Sequence, residues 1–274
     1  MRTRAITGIF FVAVMLGSFF AGPVIFSVFY GFLAILCLQE FYGLLKKAGL
    51  KPNIPLGLIS GAAIYASFAA LFHWDAYPEA ATLHKLIFLL VLPLAAILVN
   101  ELYRDTETPF ANIGYTYLGI ILTILPFTFY HTLGFVTNTG FDAHVPMAFL
   151  IMLWANDTGA YLTGRQFGRA KLFERHSPKK TWEGFIGGIL IAAVVGYILS
   201  IYFKELEWRQ WVSMAIIIGI VGTLGDLVES MFKRSINVKD SGGLLPGHGG
   251  LLDRFDGLLL AAPVVFVYLY FVFN

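Results

Sequence analysis

Charge is what this chain has least of. Asp, Glu, Lys and Arg together make up 13% of its 274 residues, about half the share usual in a soluble domain, so a water-soluble globule is excluded. Cysteine is almost absent too: Cys37 stands alone, which excludes an internal disulfide, and its place in an apolar run reads as buried packing. A net charge of +2 is too small for a nucleic-acid binder, which gathers basic residues on one face. No polar stretch is long enough to bury a core of its own, no repeat period or low-complexity tract interrupts the chain, and no A-x-A site follows the first apolar run, which therefore reads as a retained helix. What remains is apolar: 58% of residues are hydrophobic and the mean hydropathy is +0.74. These values predict one integral membrane domain over residues 1–274, all-α and polytopic.

A membrane helix needs about 20 mostly apolar residues. That length predicts about nine spans, at 5–21, 24–45, 54–73, 85–101, 113–131, 145–163, 184–203, 211–228 and 255–273. Gly22-Pro23, Lys46 to Asn53 and Trp74 to His84 punctuate the first three connections. Positive residues accumulate in short cytoplasmic loops. With the N-terminus inside, all of the 19 Lys and Arg except Lys85, Lys204 and Arg209 fall on the cytoplasmic side, so the expected topology has a cytoplasmic N-terminus and a C-terminus outside. Residues 1–150 read as membrane helices with interfacial aromatics such as Trp74, Tyr103 and Tyr130. Polar residues at membrane depth concentrate in 151–274, which is expected to hold the catalytic helices and loops.

An ionisable group inside a span is costly and usually faces the bundle interior or a wet cavity. Asp157, in Ala155-Asn156-Asp157-Thr158-Gly159, is one such group; the alternative is a helix-to-helix hydrogen bond through Asn156 or Thr158. Asp226 lies near the cytoplasmic end of the eighth span, with Glu229 and Ser230 on the same helical face at i+3 and i+4. Glu40, in the second span, is nearer the interface, where snorkelling or pairing with Lys46 or Lys47 is the simpler expectation.

The loop from Ser230 to Asp256 carries the strongest constellation. Gly242, Gly243, Gly247, Gly249 and Gly250 let backbone N–H groups approach an anion. Lys233, Arg234, Lys239 and Arg254 surround them with positive charge, and Asp253 and Asp256, three apart at a helix start, are expected to present two carboxylates on one face. Phosphates held with a divalent cation require this combination. His248, between glycines, is either a proton donor or phosphate contact, or a structural hydrogen-bonding group. In the other basic loop, Ser177-Pro178 suits an N-cap followed by a first-turn proline. That places Lys179 and Lys180 in the opening turn of the seventh helix, where cations are unfavourable without an anion. The alternative is a loop that only orients the protein and touches anionic lipid heads.

The run Ser230 to Asp256 follows the pattern S-x-x-K-R-x4-K-D-x-G-x-x-x-P-G-H-G-G-x-x-D-R-x-D, and in this it resembles the phosphatidate cytidylyltransferases, also called CDP-diacylglycerol synthases. Asp157 to Tyr161, Ser177 to Gly184 and Gly225-Asp226-Leu227 are similar to further motifs of that family, in the expected order. The motifs cover residues 154–257; upstream only the hydrophobic layout, Arg4 and Glu40 are similar. Gly257 departs from the pattern, since many members carry serine there.

The resemblance implies a membrane nucleotidyltransferase of phospholipid biosynthesis that makes CDP-diacylglycerol and pyrophosphate from CTP and phosphatidate. It implies Mg²⁺, with a second cation such as K⁺. Its expected location is the bacterial inner membrane, with the active site facing the cytoplasm. Metal ligation is expected from Asp226, Asp253 and Asp256; Lys239 and His248 join them as catalytic candidates. Substrate binding is expected from Ser177, Lys179, Lys180, Lys233, Arg234, Arg254, Gly249, Gly250 and Asp157. The expected partners are CTP, phosphatidate and membrane lipid, without nucleic acid, and a homodimer is the self-assembly carried forward. Two rivals stay open: a CTP-dependent lipid-alcohol kinase, which needs a base beside a hydroxyl, and a transporter of an anionic solute, which favours inverted repeats that the sequence lacks.

Overall fold

The computed structural model describes residues 2–74, 87–137, 140–238, 241–242 and 249–273, with side chains described for all of these but 2–7, 9, 10, 73 and 74. Residues 75–86, with Lys85, lie outside the described residues, as do Lys239, Asp240, Gly243, Gly247 and His248.

Helices dominate. In chain order they are α1 (Arg2–Phe20), α2 (Pro23–Lys47), α3 (Ile54–Trp74), α4 (Val91–Glu101), α5 (Pro109–Phe135), α6 (His144–Phe167), α7 (Trp182–Tyr202), α8 (Trp208–Ser235) and α9 (Leu252–Phe273), with a hairpin of β1 (Lys171–Phe173) and β2 (Ser177–Thr181) between α6 and α7. Among the described residues six helices, α2, α5, α7, α8, α9 and the Ile54–Phe72 part of α3, are long and apolar enough to cross a membrane. The apolar parts of α1 and α4 are shorter. The Asn156-Asp157 pair and a basic end dilute α6.

Local chemistry sets the boundaries. Gly22, at φ +95°, turns the chain between α1 and α2, and Pro23 opens α2 where its missing N–H has no helical partner to lose. Inside α5 the backbone winds as a π-helix over Ile120–Ile124, directly before Leu125-Pro126. Proline cannot donate to the carbonyl four residues back, so the ladder shifts locally there.

The chain forms two compact units: Met1–Thr132 with Asp240–Leu252, and Leu133–Lys239 with Asp253–Asn274. In the first, α2 supplies the core, with Phe26, Tyr30, Leu38 and Tyr42 fully buried. Tyr130, expected at an interface, is instead fully buried there with its ring 4.8 Å from that of Tyr30. Composition cannot separate an interfacial tyrosine from one facing another helix. Cys37 is buried as expected.

In the second unit α6, α7 and α8 pack at small residues. A Cβ at Gly188 would stand 2.8 Å from the Asn156 carbonyl oxygen and side chain, and one at Gly219 would stand 3.0 Å from Asn156 Oδ1. Buried Asn156 thus fills the space that glycines on α7 and α8 leave open.

Candidate active site

The chemistry-bearing residues of the second unit lie on α6, β2, α8 and α9. Helices α8 and α9 approach closely because both are glycine-lined: a Cβ at Gly225 would meet the Asp256 carbonyl oxygen at 2.5 Å, and one at Gly222 would stand 3.7 Å from that of Gly257. This approach brings Asp226 of α8 to Asp256 of α9. Ligand atoms of Asp226, Glu229 and Asp256 lie within 4.8 Å of one another. Ser230 Oγ donates to Asp226 Oδ1 at 3.2 Å, one turn along the same face. Glu229 was visible in the sequence only as a neighbour of Asp226 on that face; its membership of the acidic triad depends on α9.

Asp253 takes a different partner. Lys233 Nζ donates to Asp253 Oδ1 at 2.6 Å and lies 2.6 Å from Glu229 Oε2. The lysine and both acids are largely buried, with side-chain exposures of 11%, 3% and 15% for Lys233, Glu229 and Asp253. The Lys233 ammonium therefore bridges two carboxylates. Arg234 is exposed and donates to the Val238 carbonyl at 3.3 Å, and Arg254 is also exposed.

The donor set of the triad is three carboxylates, the oxygen-only chemistry suited to Mg²⁺. Glu229 Oε1 is buried and accepts no hydrogen bond among the described residues. A buried oxygen without a donor is costly, and a cation held by Asp226, Glu229 and Asp256 would satisfy it. The residues present fit a divalent cation.

Lys179 and Lys180 stand on a strand and not in a helical turn. Ser177-Pro178 does not start a helix: Ser177 to Thr181 form strand β2, paired antiparallel to β1 through Lys171 with Thr181 and Phe173 with Ser177. The helix begins at Trp182, and Thr181 is its cap, accepting from the Gly184 N–H at 3.2 Å. A proline is tolerated in an edge strand as well as in a first helical turn, and the later threonine wins the cap. Trp182 N–H donates to Ala170 O, while the Glu183 carboxylate accepts from the N–H groups of Arg169 and Ala170 at 3.0 and 3.2 Å, closing the base of the hairpin.

Neighbouring strand residues point to opposite faces. Lys180 Nζ accordingly sits 2.5 Å from Asp226 Oδ2, while Lys179 is exposed and carries no ion pair among the described residues. Asp157, on α6, lies within electrostatic range of Asp226 and Lys180, and Asn156 Nδ2 donates to its Oδ1 at 3.4 Å.

A second polar grouping occupies the other end of α6. His144 Nδ1 lies 2.6 Å from Glu205 Oε1 and 3.7 Å from Asp142 Oδ1, and burial pushes the Asp142 carboxyl above the usual carboxylate range. Thirteen residues of helix separate His144 from Asp157, roughly 20 Å at 1.5 Å per residue, so this grouping is separate from the acidic triad.

In the first unit, Gly249 has φ +83°, and Gly250 is buried. Glu40 of α2 does not simply snorkel: its Oε2 accepts the Leu252 N–H at 2.7 Å.

The chain matches the Cytidylyltransferase family over residues 2–272. It is 34% identical over 268 residues to a protein of Staphylococcus aureus (strain COL), covering 97% of each chain. It is 34% identical to one of Staphylococcus epidermidis, again covering 97% of each. To one of Rickettsia bellii (strain RML369-C) it is 33% identical over 229 residues, covering 81% of this chain and 93% of that one. Each of these relatives is named phosphatidate cytidylyltransferase.

Proposed function

The chain belongs to the cytidylyltransferase family, and from that premise we infer that it is a phosphatidate cytidylyltransferase: a membrane nucleotidyltransferase of phospholipid biosynthesis that converts CTP and phosphatidate to CDP-diacylglycerol and pyrophosphate. The observation that carries this is near full-length similarity to relatives of that name, at 34% identity over 97% of both chains. In the reaction a phosphate oxygen of phosphatidate forms a bond to the α-phosphorus of CTP. The bond from the α-phosphorus to the bridging oxygen breaks, and pyrophosphate leaves with the electron pair. The nucleophile arrives with the lipid, so the protein's task is positioning and charge neutralisation.

The proposal gives each side chain a part. Asp226, Glu229 and Asp256 would hold Mg²⁺, which supplies neutralisation of phosphate charge and alignment of phosphate oxygens. Lys180 stays on Asp226, fixing the carboxylate, and leaves Lys179 to meet a phosphate. Arg234 and Arg254 are the further phosphate cations, and Ser177, Gly249 and Asp157 remain substrate-side candidates. Asp253 would orient Lys233 against Glu229 beside the metal. Lys239 and His248, outside the described residues, keep their proposed catalytic parts on the motif alone. A second cation such as K⁺ and a homodimer belong to the proposal in the same way.

One membrane domain of nine spans is proposed, in the bacterial inner membrane, with the loops at 164–183 and 229–254 in the cytoplasm and the C-terminus outside. The Lys and Arg distribution supports it. In a Cys37→Ser background, Asp240→Cys is expected to react with an impermeant thiol reagent from the cytoplasmic side only. Labelling solely from the external side would overturn the orientation.

The activity is tested with purified protein, phosphatidate, Mg²⁺ and CTP labelled at either the α- or the γ-phosphate. Only the α-label is expected to enter the organic-extractable product, with pyrophosphate released. A CTP-dependent kinase offered a lipid alcohol would transfer the γ-label, and a transporter would put neither label into lipid. Lipid labelling from γ-labelled CTP alone would refute the function.

A further inference from the structure

The sequence at the start of helix α9 holds no favoured capping residue. The residues before and at its start, Gly249, Gly250, Leu251 and Leu252, offer no side-chain acceptor, although the first N–H groups of a helix lack intrahelical partners and favour Ser, Thr, Asp or Asn just before them. The acceptor comes from α2, 212 residues away: Glu40 Oε2 takes the Leu252 N–H at 2.7 Å. A carboxylate suits a helix N-terminus, where the peptide dipoles present positive charge. It also answers the question that an acid in an apolar helix raises, since Glu40 is half-buried in α2.

The glycines beside this contact are shaped around the same side chain. A Cβ at Gly242 or at Gly250 would collide with Glu40 Oε1, and one at Gly250 would also strike the buried Ser241 hydroxyl. Leu251 and Leu252 are 2% and 1% exposed, so water has little access to replace the carboxylate. Two glycines that read as room for an anion are thus, at these two positions, room for Glu40.

We propose that Glu40 is a positioning residue for the nucleotidyl transfer: its carboxylate caps α9 from a distant helix, and Gly242 and Gly250 close on it, so that the chain enters α9 at a fixed point. Asp253 and Asp256 follow the held amide by one and four residues in the same helix. The inference rests on the function above for its kinetic consequence and on the Glu40 to Leu252 contact for its structural one.

The test compares Glu40→Ala, Glu40→Gln and Gly250→Ala in the full-length protein. Glutamine keeps a carbonyl oxygen that accepts the Leu252 N–H; alanine does not. Glu40→Ala is expected to lower kcat by about 10²-fold, the scale of a misplacement of about 1 Å at reacting groups. It should also raise the Mg²⁺ concentration for half-maximal rate about tenfold, as loss of an outer support does at metal sites. Glu40→Gln should stay within a few-fold of the parent in both. Hydrogen exchange read by mass spectrometry, which requires no turnover, should quicken over peptides spanning 249–256 in the alanine variant and not in the glutamine variant.

Gly250→Ala leaves the acid intact and is expected to reproduce both signatures, so the idea stays testable if Glu40→Ala does not accumulate. Equal damage from glutamine and alanine would overturn the capping role in favour of bare charge. Unchanged exchange and kinetics in Glu40→Ala would overturn it outright, as would tighter CTP binding, which would make the carboxylate a placeholder for phosphate. If the parent protein itself fails to transfer the α-label, the function falls while the exchange result still decides the cap.

Discussion

Asp226→Asn and Asp256→Asn are each expected to reduce turnover by about 10³-fold, the scale on which removing one preorganised electrostatic group slows an enzyme, with the protein still inserted and folded. The amide keeps the shape of the carboxylate but loses the charge that a hard divalent cation requires. Both carboxylates converge with Glu229 within 4.8 Å, so neither is replaced by a neighbour when it is neutralised. Asp226→Asn carries a second consequence, because Lys180 loses its partner at 2.5 Å. Rates measured across a Mg²⁺ titration check the expectation: both variants should show their defect most strongly at limiting Mg²⁺. Asp253→Asn should also inactivate, as expected from its proposed place beside the metal. Near-normal rates in Asp226→Asn or Asp256→Asn at limiting Mg²⁺ would overturn the metal assignment, and near-normal rates in Asp253→Asn would overturn its place beside the metal.

Lys233→Met is expected to destabilise the folded protein by about 3–5 kcal/mol, the usual result of removing one partner from a buried ionic cluster. The lysine ammonium lies 2.6 Å from both Glu229 and Asp253, and the two acids would otherwise face each other largely out of water. Adding Glu229→Gln to Lys233→Met should recover a large part of the loss, because eliminating both members of a buried pair costs much less than breaking it. Thermal unfolding in detergent for the single and double variants reads this directly. A Lys233→Met protein with parental stability and a raised KM for CTP would show instead that Lys233 serves substrate phosphate.

The lysine pair and the aspartate pair show how far spacing alone reaches. Asp226, Ser230 and Glu229 were legible as one helical face, and Ser230 Oγ does bond Asp226. Asp253 and Asp256, also three apart and expected on one face, take different partners: Asp253 meets Lys233 and Asp256 joins Asp226 and Glu229, a choice made by the side chains that α8 presents and not by the spacing, which is the same in both pairs. Ser177-Pro178 carried a helix-start signal that a strand satisfies equally, so the separation of Lys179 from Lys180 became visible only with the hairpin.

The sequence by itself determined that this is a helical membrane protein and which family it resembles. Both depend on local quantities: apolar runs near the length a bilayer demands, and a motif long enough to be specific when read in order. Only the tertiary structure decided which acids form the triad, that Lys233 is bridged between two carboxylates, and that Glu40 caps a helix 212 residues away. Those facts depend on the rotational phase of each helix and on where glycines let backbones approach, as Gly225 does beside Asp256. Contacts between distant helices are fixed by packing complementarity, which no window along the chain contains.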